Sequence, residues 1–150
     1  MPYINYGILV WGNACKKHLD KLVKLQKWAI RTISCSHYRS HTGPLFAKHN
    51  ILTIHDMYSL ELGVFMYKYS TDQLPSIFKD YFTKRSDVHA YQTRSINNLY
   101  LTRNKSFLDN AVRTTGPILW NNIDNGLKNF KTIKYFRKEF KGKLISTYNW

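Results

Sequence analysis

The segment from Thr53 to Ser70, TIHDMYSLELGVFMYKYS, constrains the fold more than any other stretch of the chain. Thr53 stands where a helix cap is needed, and Asp56 falls in the first turn, where unpaired amides favour a negative charge. Ile54, Met57, Tyr58, Val64, Phe65 and Tyr69 follow, interspersed with Glu61 and Lys68, and carry the helix to about Tyr69. A helix this rich in aromatic rings is expected to be central to the core, because each ring removes a large apolar area from water.

Two further long helices are predicted. From His18 to Ile33, Leu19, Leu22, Val23, Ala29, Ile30 and Ile33 recur at helical spacing, with Gln26 the one polar residue among them. Lys17, Lys21, Lys24 and Arg31 fall on another face, giving an amphipathic helix with a basic outer stripe, suited to a phosphate backbone or to solvent. Near the carboxyl end, Thr132 can cap a helix in which Ile133, Phe136, Phe140 and Leu144 line one side. Lys134, Arg137, Lys138 and Lys141 populate the rest of it, and Gly142 weakens its end.

Between these helices, a turn at Thr42, Gly43 and Pro44 leads into a short helical piece, LFAKHN, and Pro75 is placed to open another, SIFKDYF. After Phe82 the composition turns polar, and NLYLT at 98–102 alternates like a strand. FLDNAVRTT at 107–115 is its expected antiparallel partner, with Asn104 and Lys105 near the turn. Gly116 and Pro117 are expected to break that strand, Pro117 starting a short helix, ILWNNI, before a loop at Gly126. The fold class is mainly α: a small helical domain with one β-hairpin near residues 98–115. A helical basic segment, 1–82, and a segment with the hairpin and the terminal basic helix, 83–150, are expected to form one compact unit.

Charge points to the kind of partner. Lys and Arg number 23 against 9 Asp and Glu, a formal charge of +14. Residues 1–50 hold eight basic and one acidic side chain, 51–100 five of each, and 101–150 ten and three, so two basic ends flank a neutral middle. Such an excess favours a polyanion, whose phosphates release condensed counterions when neutralised. Two cysteines, Cys15 and Cys35, are too few for a secreted disulfide framework. The run ILVW at 8–11 is far shorter than a membrane span and lacks the basic lead of a signal peptide. A nuclear or cytoplasmic protein is therefore expected, neither secreted nor membrane-bound.

Enzymatic alternatives find little support in the residues. Cys35, His37 and His41 fall as C-x-H-x-x-x-H with Cys15 a conceivable fourth ligand, but the paired spacing of structural zinc sites is missing, so no metal and no cofactor is expected. The acids include no D-x-D or adjacent pair for metal-dependent nuclease chemistry, and no phosphate-binding glycine loop occurs. His37, His41 and His89 leave a His-dependent nuclease as the least favoured reading. HAYQTRS at 89–95 fits a grip better than a catalytic site: Tyr91 can bury its ring, Thr93 can bond to backbone, and Arg94 presents a fork of donors to a phosphate. Arg94 could equally pair with an internal acid or cap a helix end. Of the four tryptophans, Trp11, Trp28 and Trp120 are expected to pack in the core rather than stack on bases, and Trp150 lies at the terminus.

YGILVWGN, HLDKLVKLQKWAIRTI, HAYQTRS, TGPILWNNIDNGLKN and FRKEFKGKL, in that order and spacing, resemble the region carboxyl-terminal to the polymerase domain in reverse transcriptases of LINE-type, jockey-like non-LTR retrotransposons. The resemblance covers nearly the whole chain. It implies a thumb-proximal and carboxyl-terminal module of an enzyme that copies element RNA at a nicked target, with the polymerase domain of the parent protein as a possible partner. The family's Y/F-x-D-D turn has no match here, so the resemblance implies a non-catalytic fragment. Where the family tends to read W-N-x-L-P, this chain has Trp120, Asn121, Asn122, Ile123 and Asp124, and the loop after that helix is expected to differ. Beginning just before YGILVWGN, the chain is expected to be a remnant or a truncated reading frame.

Two functions of different class follow. The first is a nucleic-acid-binding module that contacts template RNA or target DNA through phosphates, using Lys17, Lys21, Lys24 and Arg31, the cluster Lys134, Arg137, Lys138 and Lys141, and Arg94. The second is a structural connector that packs on a polymerase domain, or an inert remnant of one, and it predicts exposed apolar surface around YGILVW.

Overall fold

The computed structural model describes residues 2–88, 96, 98–101 and 112–148. Its helices are α1 (Pro2–Asn5), α2 (Ile8–Trp11), α3 (Lys16–Ile33), α4 (Gly43–Lys48), α5 (Ile54–Ser70), α6 (Arg85–Val88), α7 (Val112–Asn122), α8 (Asn125–Lys128) and α9 (Ile133–Ser146). A short 3-10 turn at Ser76–Phe78 follows Pro75, where the longer helix SIFKDYF was expected. The chain is thus mainly helical. It divides into two compact units, 1–61 with 137–150, and 62–136. The division runs through α5 and α9 and not at the change of composition after Phe82.

In the first unit, Ile8, Leu19, Ile30, Phe46, Leu52 and Ile54 are buried. Burying the start of α5 creates a problem, because the first amides of any helix have no intrahelical acceptor. Side chains from three places solve it. Thr53 Oγ1 accepts from the Asp56 N–H at 3.3 Å, as its capping position predicts. Gln26, on α3, accepts from the Ile54 N–H at 3.1 Å through Oε1 and donates Nε2 to the Leu52 carbonyl at 2.8 Å. Tyr148, just past α9, accepts from the Thr53 N–H at 3.0 Å and donates to the Asp56 carboxylate. Gln26, the polar exception on the apolar face of α3, is therefore the residue that joins α3 to the amino end of α5.

In the second unit, Tyr67 is fully buried, stacks on Phe136 with ring centroids 4.8 Å apart and donates its hydroxyl to the Phe130 carbonyl at 2.6 Å. Trp120 packs against the same Phe136. Gly116 is needed for close approach here: a Cβ at that position would come 2.7 Å from Met66 Sδ and 3.4 Å from Phe82 Cζ.

The expected hairpin near 98–115 finds no support, and most of it, residues 102–111, lies outside the described residues. Among the described residues there is no strand; an isolated antiparallel bridge joins Leu99 to Lys84, with Tyr100 N–H donating to the Thr83 carbonyl and Arg85 N–H to the Asn98 carbonyl. Residues 112–115, the end of the expected partner strand, belong to α7. At Leu99 the side-chain amide of Asn121 takes both backbone groups, at 3.0 and 2.9 Å. That pairing satisfies Leu99 as a neighbouring strand would. Gly116 and Pro117 accordingly lie buried inside α7, and Pro117 does not begin it. Asp124, where the resembled family tends to have proline, caps α8 by accepting from the Gly126 N–H.

Gln26→Ala removes two buried hydrogen bonds and leaves the Ile54 amide without its acceptor, so the loss of unfolding free energy in urea is expected to be about 2–4 kcal/mol. A loss below about 0.5 kcal/mol would show that α5 does not depend on it. The Tyr148 hydroxyl is pushed up to about 12 by burial first and by its bond to Asp56 second, against 10.0 for a free tyrosine. The folded chain keeps this proton where the unfolded chain loses it. The contribution is therefore complete below pH 10 and vanishes as pH rises towards 12. Tyr148→Phe is expected to flatten that part of the pH–stability curve; parallel curves for variant and wild type would contradict the assignment.

Candidate nucleic-acid interface

The faces of α3 follow from the way Gln26 is held. Leu19, Gln26 and Ile30 are buried and Val23 half-buried. A helix turns about 100° per residue, so a residue nine positions from a buried one points the opposite way. Lys17 lies nine residues before Gln26, and Lys17, Lys21 and Lys24 are all exposed, spaced as neighbours along one line of the helix. Lys16 and Lys27 add two exposed cations, while Asp20, the one acid of α3, is half-buried. Arg31 is half-buried and donates Nε to the Ser40 carbonyl at 3.0 Å, which pins the loop after α3 to its last turn.

Trp28 corrects the expectation that it packs in the core: it is 67% exposed. The signal was present in the spacing, since Trp28 is nine residues after Leu19 and therefore on the far side of the helix. Trp11 is half-buried, its indole N–H donating to the Tyr6 carbonyl at 2.9 Å. Trp120 does pack in the core, with the Lys128 ammonium 5.6 Å from its ring, and desolvation there lowers the Lys128 pKa. Trp150 and the whole of HAYQTRS, including Arg94 and His89, lie outside the described residues.

The cations of α9 are used differently. Arg137 pairs with Glu61, and Lys141 donates to the Asn50 carbonyl at 2.9 Å. Both line a cleft of about 320 Å³ with Asn5, Met57 and Leu60, to which no residue of α3 contributes. Lys134 and Lys138 are exposed, Lys134 belonging to the second unit. Half of this cluster is thus engaged inside the molecule, and the cleft it lines is not shared with the stripe on α3.

A second feature of α3 is apolar. Leu22, Leu25, Ala29 and Ile33 run along its flank and, with Trp11 and Ile51, line a groove of about 440 Å³. Leu25 is 62% exposed, and Tyr6 and Val10 are exposed as well.

Beyond the end of α3, Tyr38 is exposed with the His37 ring centroid 4.5 Å away and the Arg39 guanidinium 5.1 Å from its centroid. Cys15 and Cys35 are free and exposed, and among the described residues no three His, Cys, Asp or Glu come together to hold a metal. His49 is bonded to the Ser34 hydroxyl at 2.9 Å. No helix among the described residues is long and apolar enough to cross a membrane.

Compared with protein-family models, with curated proteins and with solved structures, the chain matches none.

Proposed function

We propose that this chain is a non-catalytic carboxyl-terminal module of a LINE-type retrotransposon RNA-directed DNA polymerase that binds template RNA or target DNA through phosphate contacts, chiefly from α3. The observation that carries the reading is the exposed line Lys17, Lys21 and Lys24, opposite the buried Gln26. The resemblance in sequence supplies the biological setting, a nuclear or cytoplasmic protein working beside a polymerase domain, with no cofactor of its own. In α9, Arg137 and Lys141 already have internal partners and contribute less than the sequence pattern implies.

A second reading, a connector that packs on the parent polymerase domain, is favoured by the apolar groove beside Leu22 and Leu25. Its occupant in that reading is an apolar element of the polymerase domain and not a second copy of this chain. The +14 charge, and Lys21 one turn before Leu25, oppose self-association through that face.

Binding to RNA or DNA is expected to weaken as salt rises, and three phosphates neutralised by Lys17, Lys21 and Lys24 give a log–log slope of about −2 on single strands and about −2.7 on duplex. Replacing these three with Gln removes most of that slope, whereas Arg137→Gln with Lys141→Gln changes it by less than about half as much. An affinity indifferent to salt, or a slope unchanged in the triple variant, would refute the phosphate reading. For the connector, Leu25→Glu is expected to reduce hydrophobic-dye binding while leaving stability within about 0.5 kcal/mol. Unchanged dye binding would remove the groove as the exposed interface.

A further inference from the structure

We infer that Trp28 is a base-stacking platform that makes the outer face of α3 a site for single-stranded nucleic acid. The inference rests on the phosphate-binding reading above and adds a substrate class to it. Lys17, Lys21, Lys24 and Trp28 are spaced by four, three and four residues, which places them along one line of the helix over a rise of about 16 Å. A single exposed aromatic is unremarkable by itself. This one closes a row of lysines, so a strand whose phosphates follow the ammonium groups carries its bases past an open indole face.

Two further observations strengthen the assignment. Trp28 does not line the apolar groove, whose lining on α3 comes from Leu22, Leu25, Gln26, Ala29, Ile30 and Ile33, so its exposure is separate from the connector surface. Arg31, the next member of the cationic stripe, holds the Ser40 carbonyl and so ties to the last turn of α3 the loop that carries Tyr38, itself 66% exposed and flanked by Arg39. The same end of the helix therefore presents a second exposed ring, one that already has the Arg39 guanidinium over it.

Stacking of this kind discriminates by strandedness. A single strand can turn a base onto an indole at little cost, and every base has a face to offer, so no sequence code is required. In a duplex the bases are already paired and stacked, the phosphates alone are presented, and the ring has nothing to receive. The lysines accordingly serve both substrates, and Trp28 serves one.

The test is fluorescence anisotropy with a labelled single-stranded oligouridylate and a labelled RNA duplex of the same length, using the whole chain, W28A, W28F and the K17Q/K21Q/K24Q variant. W28A is expected to lose about five- to hundred-fold in single-strand affinity, with duplex affinity within about twofold of wild type, and W28F to recover most of the loss. Because Trp28 is exposed, W28A should unfold at the wild-type midpoint, which separates the effect from instability. If W28A keeps its single-strand affinity while the lysine variant loses it, stacking is overturned and the phosphate reading stands. Equal losses on single strand and duplex overturn the strandedness assignment. If the wild-type chain shows no salt-dependent binding to either probe, the phosphate reading fails and this inference fails with it.

Discussion

The amino end of α5 is the point on which the first unit depends. A helix with this many apolar side chains is stable in water only when surrounded, and surrounding it takes its unpaired amides away from solvent. Gln26 and Tyr148 reach them from α3 and from the end of α9, and Thr53 completes the set. Each bond is modest, about 1 kcal/mol net, but each leaves a desolvated group behind if it is lost. Turning Gln26 outwards would break both of its bonds and leave the Ile54 amide without its acceptor, which opposes a roll of α3 about its axis. The outward orientation of Lys17, Lys21, Lys24 and Trp28 follows from a glutamine on the opposite side.

The second unit solves its own burial with aromatic packing. Tyr67 and Phe136 stack, the Tyr67 hydroxyl finds the Phe130 carbonyl, and Gly116 gives Met66 and Phe82 the room a side chain would take. Asn121 bonds both backbone groups of Leu99 and so does for one buried residue what a strand would do for several. Among the described residues the backbone at that point is satisfied by a side chain.

The long helices were legible in the sequence because period and caps agree: α3, α5 and α9 begin and end within two residues of where their apolar spacing and cap residues place them. Alternation over five residues at 98–102 cannot distinguish a strand from a segment whose partner is a side chain, as it is at Leu99. Asn121 lies more than twenty positions away, and no local pattern announces it. Pro117 departs from its local tendency because the residues before it are drawn into α7 by packing at Gly116, which overrides the preference of Gly-Pro to break a helix. For the site, the stripe on α3 was visible as a pattern of lysines. The engagement of Arg137 with Glu61 and of Lys141 with Asn50 was not, because both partners are far away in the chain. Tryptophan suggests a core residue by type, but the position of Trp28 relative to Leu19 places it outside.

The proposed function therefore concentrates on one helix whose inner face is committed to the fold and whose outer face is not. Among the described residues Lys17, Lys21 and Lys24 show none of the internal pairing that takes up half of the α9 cluster, and the apolar flank of α3 opens on a groove of its own. The most direct measurement is an NMR titration of the isotope-labelled chain with single-stranded oligouridylate, following backbone amides and indole N–H groups. The account predicts the largest shifts at Lys17, Lys21, Lys24 and the Trp28 indole, with Gln26 and the amino end of α5 little changed. Shifts confined to residues 62–136, with α3 unperturbed, would contradict it.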